Sequence, residues 1–535
     1  MRLLIIVLSS FIYGNNLSSL PFDWSGQFGL FNHQGSLLWN NDWFSKSLFF
    51  DGTWSVYPTM YGDEIKKDFN FSRTKHKDIF GKNDNQENDS YFKYDQGDYL
   101  LDRFSCGIIL KTKRRLASFN GFKRTYSGNK NQYANNSYQP QQQSYIFSYK
   151  SNEDQQNIGF TLGHFDTYSG FPDGTELGLI DNQIITSNLN WGNKLLTSYI
   201  TLSSDQFYQK YKTKHTLSSY HKSRFLIRKN FELDLVLPTN NQNLFANISH
   251  NSRSINIDTT VNIKWNNYLI GYGNDSTKII FSIFQLSNKF LFQTSLDFKK
   301  KIGPFVAKIN YDIDYKPIHP YYVLFLNENI TKKEIQRKKA SALICYKFKN
   351  SRISSSFYQI NDEEEFWSMI DGNTVNNLVH RMLSLDYSSI IFNNTKVKLK
   401  YNIQNSDGLY SGGIKNWLEI GLSSNFKVFD DKMMINLNCD FIQLSHGTNK
   451  RTLNPIEMVP DLNSFYINDS NPVNVINTSI TAKVNNFIIS YESYNFIDII
   501  YNSINLNRGN SVYYDPTIPD LGHQTIISIK WAFKD

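Results

Sequence analysis

The stretch "HQTIISIKWAFKD" (523–535) decides the fold. Ile527, Ile529, Trp531 and Phe533 alternate with Ser528, Lys530, Ala532 and Lys534. On a strand, such alternation puts the apolar set on one face and the polar set on the other. A soluble chain has little reason to hold this period nearly to its last residue.

The same pattern recurs upstream. In "FVAKINYDIDYK" (305–316), Phe305, Ile309, Tyr311 and Ile313 oppose Lys308, Asn310, Asp312 and Asp314. In "KVKLKYNIQ" (396–404), Val397, Leu399, Tyr401 and Ile403 oppose Lys396, Lys398, Lys400 and Asn402. "MMINLNCDF" (433–441) and "FLFQTSLDF" (290–298) repeat the arrangement. These runs last about nine to twelve residues. A strand of an ordinary soluble fold averages about five or six, whereas a tilted membrane-crossing strand needs about nine to eleven. The 40 Phe, 33 Tyr and only 13 Pro of the 535-residue chain fit a strand-rich fold.

Connections alternate too. Tight polar turns fall at Asn350, Asn393-Asn394, Asp430-Asp431 and Asn485-Asn486, residues that tolerate the positive φ of short hairpins. Between them lie longer polar stretches at 361–380, 405–413 and 445–472, and another at 497–522 precedes the last strand. In an up-and-down meander, every short turn then falls at one rim and every long loop at the other. The polar stretch 57–98 reads as a further exterior loop, and "NQYANNSYQPQQQ" (131–143) as another.

The opening "MRLLIIVLSSFIYGNN" has one basic residue and an apolar run from Leu3 to Tyr13. It reads as a secretory signal peptide over 1–19, cut after Gly14 or Ser19. It is too short to span a bilayer as a helix. A mean hydropathy of −0.45 argues against a helical membrane protein.

These features together resemble bacterial outer-membrane β-barrels, whose periplasmic turns are short and exterior loops long. The ending "YYDPTIPDLGHQTIISIKWAFKD" (513–535) resembles the last loop and strand of porins and of TonB-dependent receptor barrels. That resemblance implies that Ile527, Ile529, Trp531 and Phe533 form the strand read by the outer-membrane assembly machinery. In the family the aromatic is usually the final residue; here Lys534 and Asp535 follow it. The expected fold is all-β: one large antiparallel transmembrane barrel over 20–535. With about 22–25 residues per strand, it should have about 22 strands, within a range of about 16–24. "DWSGQFGLF" and "SLFFDGTWSVY", within 20–57, read as strand pairs and leave no room for a separate plug.

The implied location is the cell outer membrane, with outer-membrane lipids and lipopolysaccharide as partners. The implied function is passage of an unspecified small solute. The alternatives are a non-conducting surface adhesin, an export or assembly barrel, and an outer-membrane lipid hydrolase. Lys308, Asp312, Lys398 and Lys400 fall on the polar face and are the candidate lumen residues, where they would set the field of a pore. A formal charge of +8 points to a weak preference for anions. No concentrated basic stripe marks a nucleic-acid binder.

Catalytic, metal and cofactor signals are weak. "LSHGTNKRTLNP" (444–455) resembles the His-x-Ser-Asn run of outer-membrane lipid A deacylases. By that resemblance His446 would be the base and Thr448 the nucleophile, with Thr replacing Ser. "SHNSR" (249–253) sets His250 and Ser252 at the spacing of outer-membrane phospholipases. Polar strand-end residues account for both, so the chain reads as a non-enzyme. "NDEEEF" (361–366) lacks the spacing of a calcium loop, and "KTKRR" (111–115) reads as a solvated turn. Cys106, Cys345 and Cys439 are far apart and read as isolated fillers.

Overall fold

The computed structural model describes short strands at 18–20, 31–33, 36–38 and 48–50 and most of 90–533. Within the latter, 126–140, 170–177, 216–220, 324–333, 364–376, 407–413, 454–459, 468–471, 504–522 and some shorter connecting stretches lie outside the description. So do the expected leader, apart from the last residues of its 1–19 span, and residues 51–89.

Twenty-two antiparallel strands form one closed barrel, from Ser90–Gly97 to Gln524–Phe533. Each strand pairs with its sequence neighbours, and closure comes from pairing the last strand with the first, Phe533 opposite Ser90 and Ile526 opposite Gly97. Closure leaves no free edge strand: each barrel strand has a hydrogen-bonded neighbour on both sides.

The alternation in sequence becomes the two faces of the wall. Phe292, Phe281, Ile270 and Ile344 are 75%, 62%, 62% and 61% exposed, while the opposite face of the same strands holds buried Phe284, Ile263 and Cys345. Some fifty large apolar side chains lie exposed in this way. Soluble monomers seldom expose a contiguous apolar patch beyond a few hundred Å², so a belt around a closed wall belongs against lipid. Near one end the belt is aromatic: Trp531 and Phe533 sit 4.9 Å apart, and Phe305 and Tyr346 sit 4.5 Å apart. Amphipathic rings favour that interfacial level.

Ten connections at that end are tight, among them Ile302–Phe305, Phe348–Ser351 and Val484–Phe487. The other end carries the long ones, including Pro317–Glu334, His446–Val473 and Tyr494–Gln524. The segregation is less strict than expected. Gly97–Leu101, Asn256–Thr260 and Leu286–Lys289 are tight and fall at the long-loop end.

The structure corrects several sequence expectations. Strands run from 8 to 18 residues, and the longest exceed the apolar alternation because polar residues extend their ladders at the ends. Ser90–Gly97 is a barrel strand whose first residue lies at the short-turn end beside Phe533, so 90–97 is wall and not part of a loop. Gln141–Gln143 belong to a strand, in register with Tyr168, Thr167 and Asp166, and the Gln143 amide donates to Asp166 at 3.3 Å. Positive φ falls on Asp430, Asp431 and Asn485 as expected, but elsewhere on Lys349 and Phe392, beside the Asn residues singled out. Turn position, set by the register of the two strands, fixes that residue and not side-chain preference.

The short strands before residue 90 form two separate two-stranded sheets, Ser18–Leu20 with Leu48–Phe50 and Phe31–His33 with Ser36–Leu38. Neither joins the barrel ladder. Ser36–Leu38 lies within 8 Å of the wall strands Gly178–Leu195 and Ser198–His215.

The barrel lumen as candidate functional site

Residues directly opposite on neighbouring antiparallel strands share a face, so register alone assigns the interior. Lys299, Lys308, Leu343, Ser356, Ser384 and Asn402 form one continuous row. Its members Ser384 and Asn402 are buried, as lumen residues shielded from the outer surface are. A second row runs Lys347, Arg352, Ser388, Lys398, Gly421. A third runs Lys301, Val306, Cys345, Ser354, Asp386, Lys400.

The candidate lumen residues therefore lie on the inward face. Lys308 pairs with Asp297 at 3.7 Å, and Lys398 reaches Glu419 at 2.5 Å. Lys400 lies opposite Asp386 and Glu419, and Asp312 lies opposite Lys339. On the last strand, Ile527, Trp531 and Phe533 face outward with Ile529, while Ser528 and Lys530 face inward.

Near the short-turn end the inward face is strongly basic. A fourth row joins Lys427, Met434, Lys483, Ile488, Lys530 and Lys93. Three cation pairs stand directly opposite one another: Lys299 and Lys308, Lys347 and Arg352, Lys530 and Lys93. Lys301, Lys396, Lys427 and Lys483 are solvent-exposed. Sequence reading found Lys308, Lys398 and Lys400 but missed this ring. Each lysine looks like an ordinary strand-end charge until the register gathers them.

The closing seam holds a buried charge cluster. Asp95 is fully buried, accepts a 2.6 Å bond from Arg103 Nε, lies 3.1 Å from Lys93 Nζ and accepts the Ser528 hydroxyl. At the long-loop end of the same seam, Asp98 accepts 2.6 Å bonds from the Thr525 backbone N–H and hydroxyl. His523 Nε2 meets the Ser493 hydroxyl at 2.9 Å, and Tyr99 donates to the His523 carbonyl at 2.9 Å. Burial pushes the His523 imidazole below its ordinary range, partly offset by the nearby Asp98 and Asp498 carboxylates.

The long-loop end of the lumen is apolar in one sector. Ile263, Trp265, Phe284 and Leu286 are buried together, with Val323 from the Pro317–Glu334 connection packed against them. Arg253 stacks over Trp265 at 4.8 Å.

The other singled-out residues form no reactive site. His446 ends a strand, and Thr448 lies outside the described residues. His250 Nδ1 is 2.7 Å from Asn266 Oδ1, on the lipid-side face it shares with Ser252. Asp362 and Glu363 lie in a strand, and Glu364 and Glu365 lie outside the described residues. Among the described residues no cluster of His, Cys, Asp or Glu could hold a metal ion. The cysteines are free; Cys345 faces inward and accepts a 3.2 Å bond from Arg352 Nε, and Cys439 is exposed.

No protein-family model matches the chain, and no curated protein sequence does. Solved structures do. The "Copper transporter OprC" matches with a TM-score of 0.63 at 8% identity, over 83% of this chain and 81% of that one. The FrpB iron transporter from Neisseria meningitidis (F3-3 variant) matches with a TM-score of 0.64 at 7% identity, over 83% and 81%. BauA, the ferric preacinetobactin receptor from Acinetobacter baumannii, gives 0.58 at 9%, over 83% and 80%. At such identities the likeness is one of fold, and the chain is a closed 22-strand barrel like those of outer-membrane receptors and transporters.

Proposed function

We propose that this protein is an outer-membrane barrel that passes small solutes through its lumen. The observation that carries the reading is the two-faced wall: a closed ladder with an apolar outer belt and a charged, hydrogen-bonded inner face. The likeness in fold to proteins named as copper and iron transporters supports it. In this reading the short-turn end and the C-terminus face the periplasm, and the long connections face the exterior. The inner charges set the field along the path, and the long connections control entry.

Purified protein in a planar bilayer should give discrete conductance steps. Conductance no different from the empty bilayer would sink the reading. A second reading, a surface adhesin or export barrel with a filled lumen, draws on the inward apolar cluster of Ile263, Trp265, Phe284 and Leu286 under Val323. Val323→Asp separates the two. It should raise the conductance of a gated solute path and leave a filled barrel silent.

A further inference from the structure

We propose that the short-turn mouth of the lumen holds a binding site for small multivalent anions, formed by Lys299, Lys301, Lys308, Lys347 and Arg352. The proposal rests on the solute-path reading above and names the class of solute.

Like charges placed directly opposite on a sheet destabilise it. Yet Lys299 faces Lys308 and Lys347 faces Arg352, on four consecutive strands from Lys289–Ile302 to Ser351–Glu363. Lys301 adds a further charge two residues from Lys299 on the same inward face. Neighbouring groups hold these side chains in place: Asp297 meets Lys308 at 3.7 Å, and Arg352 Nε donates to Cys345 Sγ at 3.2 Å. A fold tolerates such a local conflict where the charges serve a ligand.

The direction of these side chains narrows the ligand. They point into the lumen, so lipid headgroups outside the wall do not meet them; the outward neighbour Lys300 is placed for that instead. Lys301 is exposed, so a solute can reach the group. Arg352 offers a planar fork suited to phosphate or carboxylate, and the lysines add mobile point charges. Several cations within a few strands favour an anion with more than one charged group over chloride.

Tripolyphosphate serves as the probe, applied to the full-length protein. In bilayers, millimolar tripolyphosphate on the short-turn side should block chloride current. The combined variant Lys301→Gln, Lys347→Gln, Arg352→Gln should weaken that block tenfold or more, while Lys300→Gln leaves it unchanged. The combined variant relieves repulsion, so it should still fold, as a retained heat-modifiable gel shift would verify. Calorimetric titration of tripolyphosphate in detergent reads the site without current. Binding that the combined variant loses, in a barrel that does not conduct, would uphold the anion site and sink the solute path. Conductance without tripolyphosphate block or binding, or binding that the combined variant retains, would overturn the anion site alone.

Discussion

Lys530 on the last barrel strand lies directly opposite Lys93 on the first. The two cations meet at the junction that closes the barrel. Lys93 is held by Asp95 at 3.1 Å, and Lys530 turns over the Tyr91 ring at 5.2 Å. Repulsion is thus offset by a carboxylate on one side and an aromatic face on the other. Lys530→Glu should leave the seam as stable or firmer by about 0.2–1 kcal/mol, the usual worth of a cross-strand ion pair. The temperature at which the folded gel band converts measures this. A marked fall would show that the Tyr91 contact, and not the charge, holds Lys530.

Asp95 should matter more. It is buried with Arg103, and both strands flanking it depend on its oxygens. Asp95→Asn keeps the shape but removes the charge opposite a buried guanidinium. Breaking one side of a buried pair costs about 3–5 kcal/mol. Denaturant unfolding should show a loss of that order, and a loss no larger than that of a surface control would refute the seam cluster as a stabilising element.

Acid should loosen the long-loop end of the seam. The folded His523 imidazole sits below its ordinary pKa of about 6.5, chiefly through burial. The unfolded chain therefore takes up its proton first as pH falls. The stability this site contributes is present above the unfolded value and is lost as pH drops through it toward the folded one. Hydrogen exchange at Ser493 and Thr525, corrected for intrinsic rate, should accelerate between about pH 7.5 and 5. His523→Gln should flatten that response; an unchanged response would assign it elsewhere.

Fold class was legible because a two-residue period is a local property. "KVKLKYNIQ" announces both faces of its strand without reference to any neighbour. Strand ends were less legible. Gln141–Gln143 look like loop by composition, yet pairing with 166–168 draws them into the wall. The basic mouth was less legible still. Lys347 and Arg352 are five apart across a turn, and only the register sets them face to face. Asp95 and Ser528 meet only because the barrel closes, a contact across nearly the whole chain that no window of sequence contains.

Gly271 illustrates a further long-range constraint. A Cβ there would come within 2.1 Å of the Phe245 ring, which also carries Lys278 at 4.3 Å. Gly271→Ala should cost about 1–3 kcal/mol through overpacking. Pairing it with Phe245→Leu should recover part of that loss. Additive effects of the two changes would mean that the ring moves aside freely.

The final strand gives the sharpest test of membrane seating. Ile529 and Lys530 are neighbours in sequence, yet one faces outward with Ile527 and Trp531 and the other faces inward opposite Lys93. A Lys on the lipid face costs about 2–4 kcal/mol near the bilayer midplane and about 0–1 near an interface. Ile529 lies four residues before Phe533, so an intermediate penalty is expected for Ile529→Lys. Lys530→Glu changes an inward charge to one that water and Lys93 can accommodate. The membrane-inserted fraction of Ile529→Lys should therefore fall well below that of Lys530→Glu. Replacing Trp531 and Phe533 together with Ser should slow insertion more than it destabilises the finished barrel. Those rings touch each other at the short-turn rim, while the ladder beside them stays intact. Equal insertion of Ile529→Lys and Lys530→Glu would mean that no bilayer reads the alternation, and the outward belt would need another explanation.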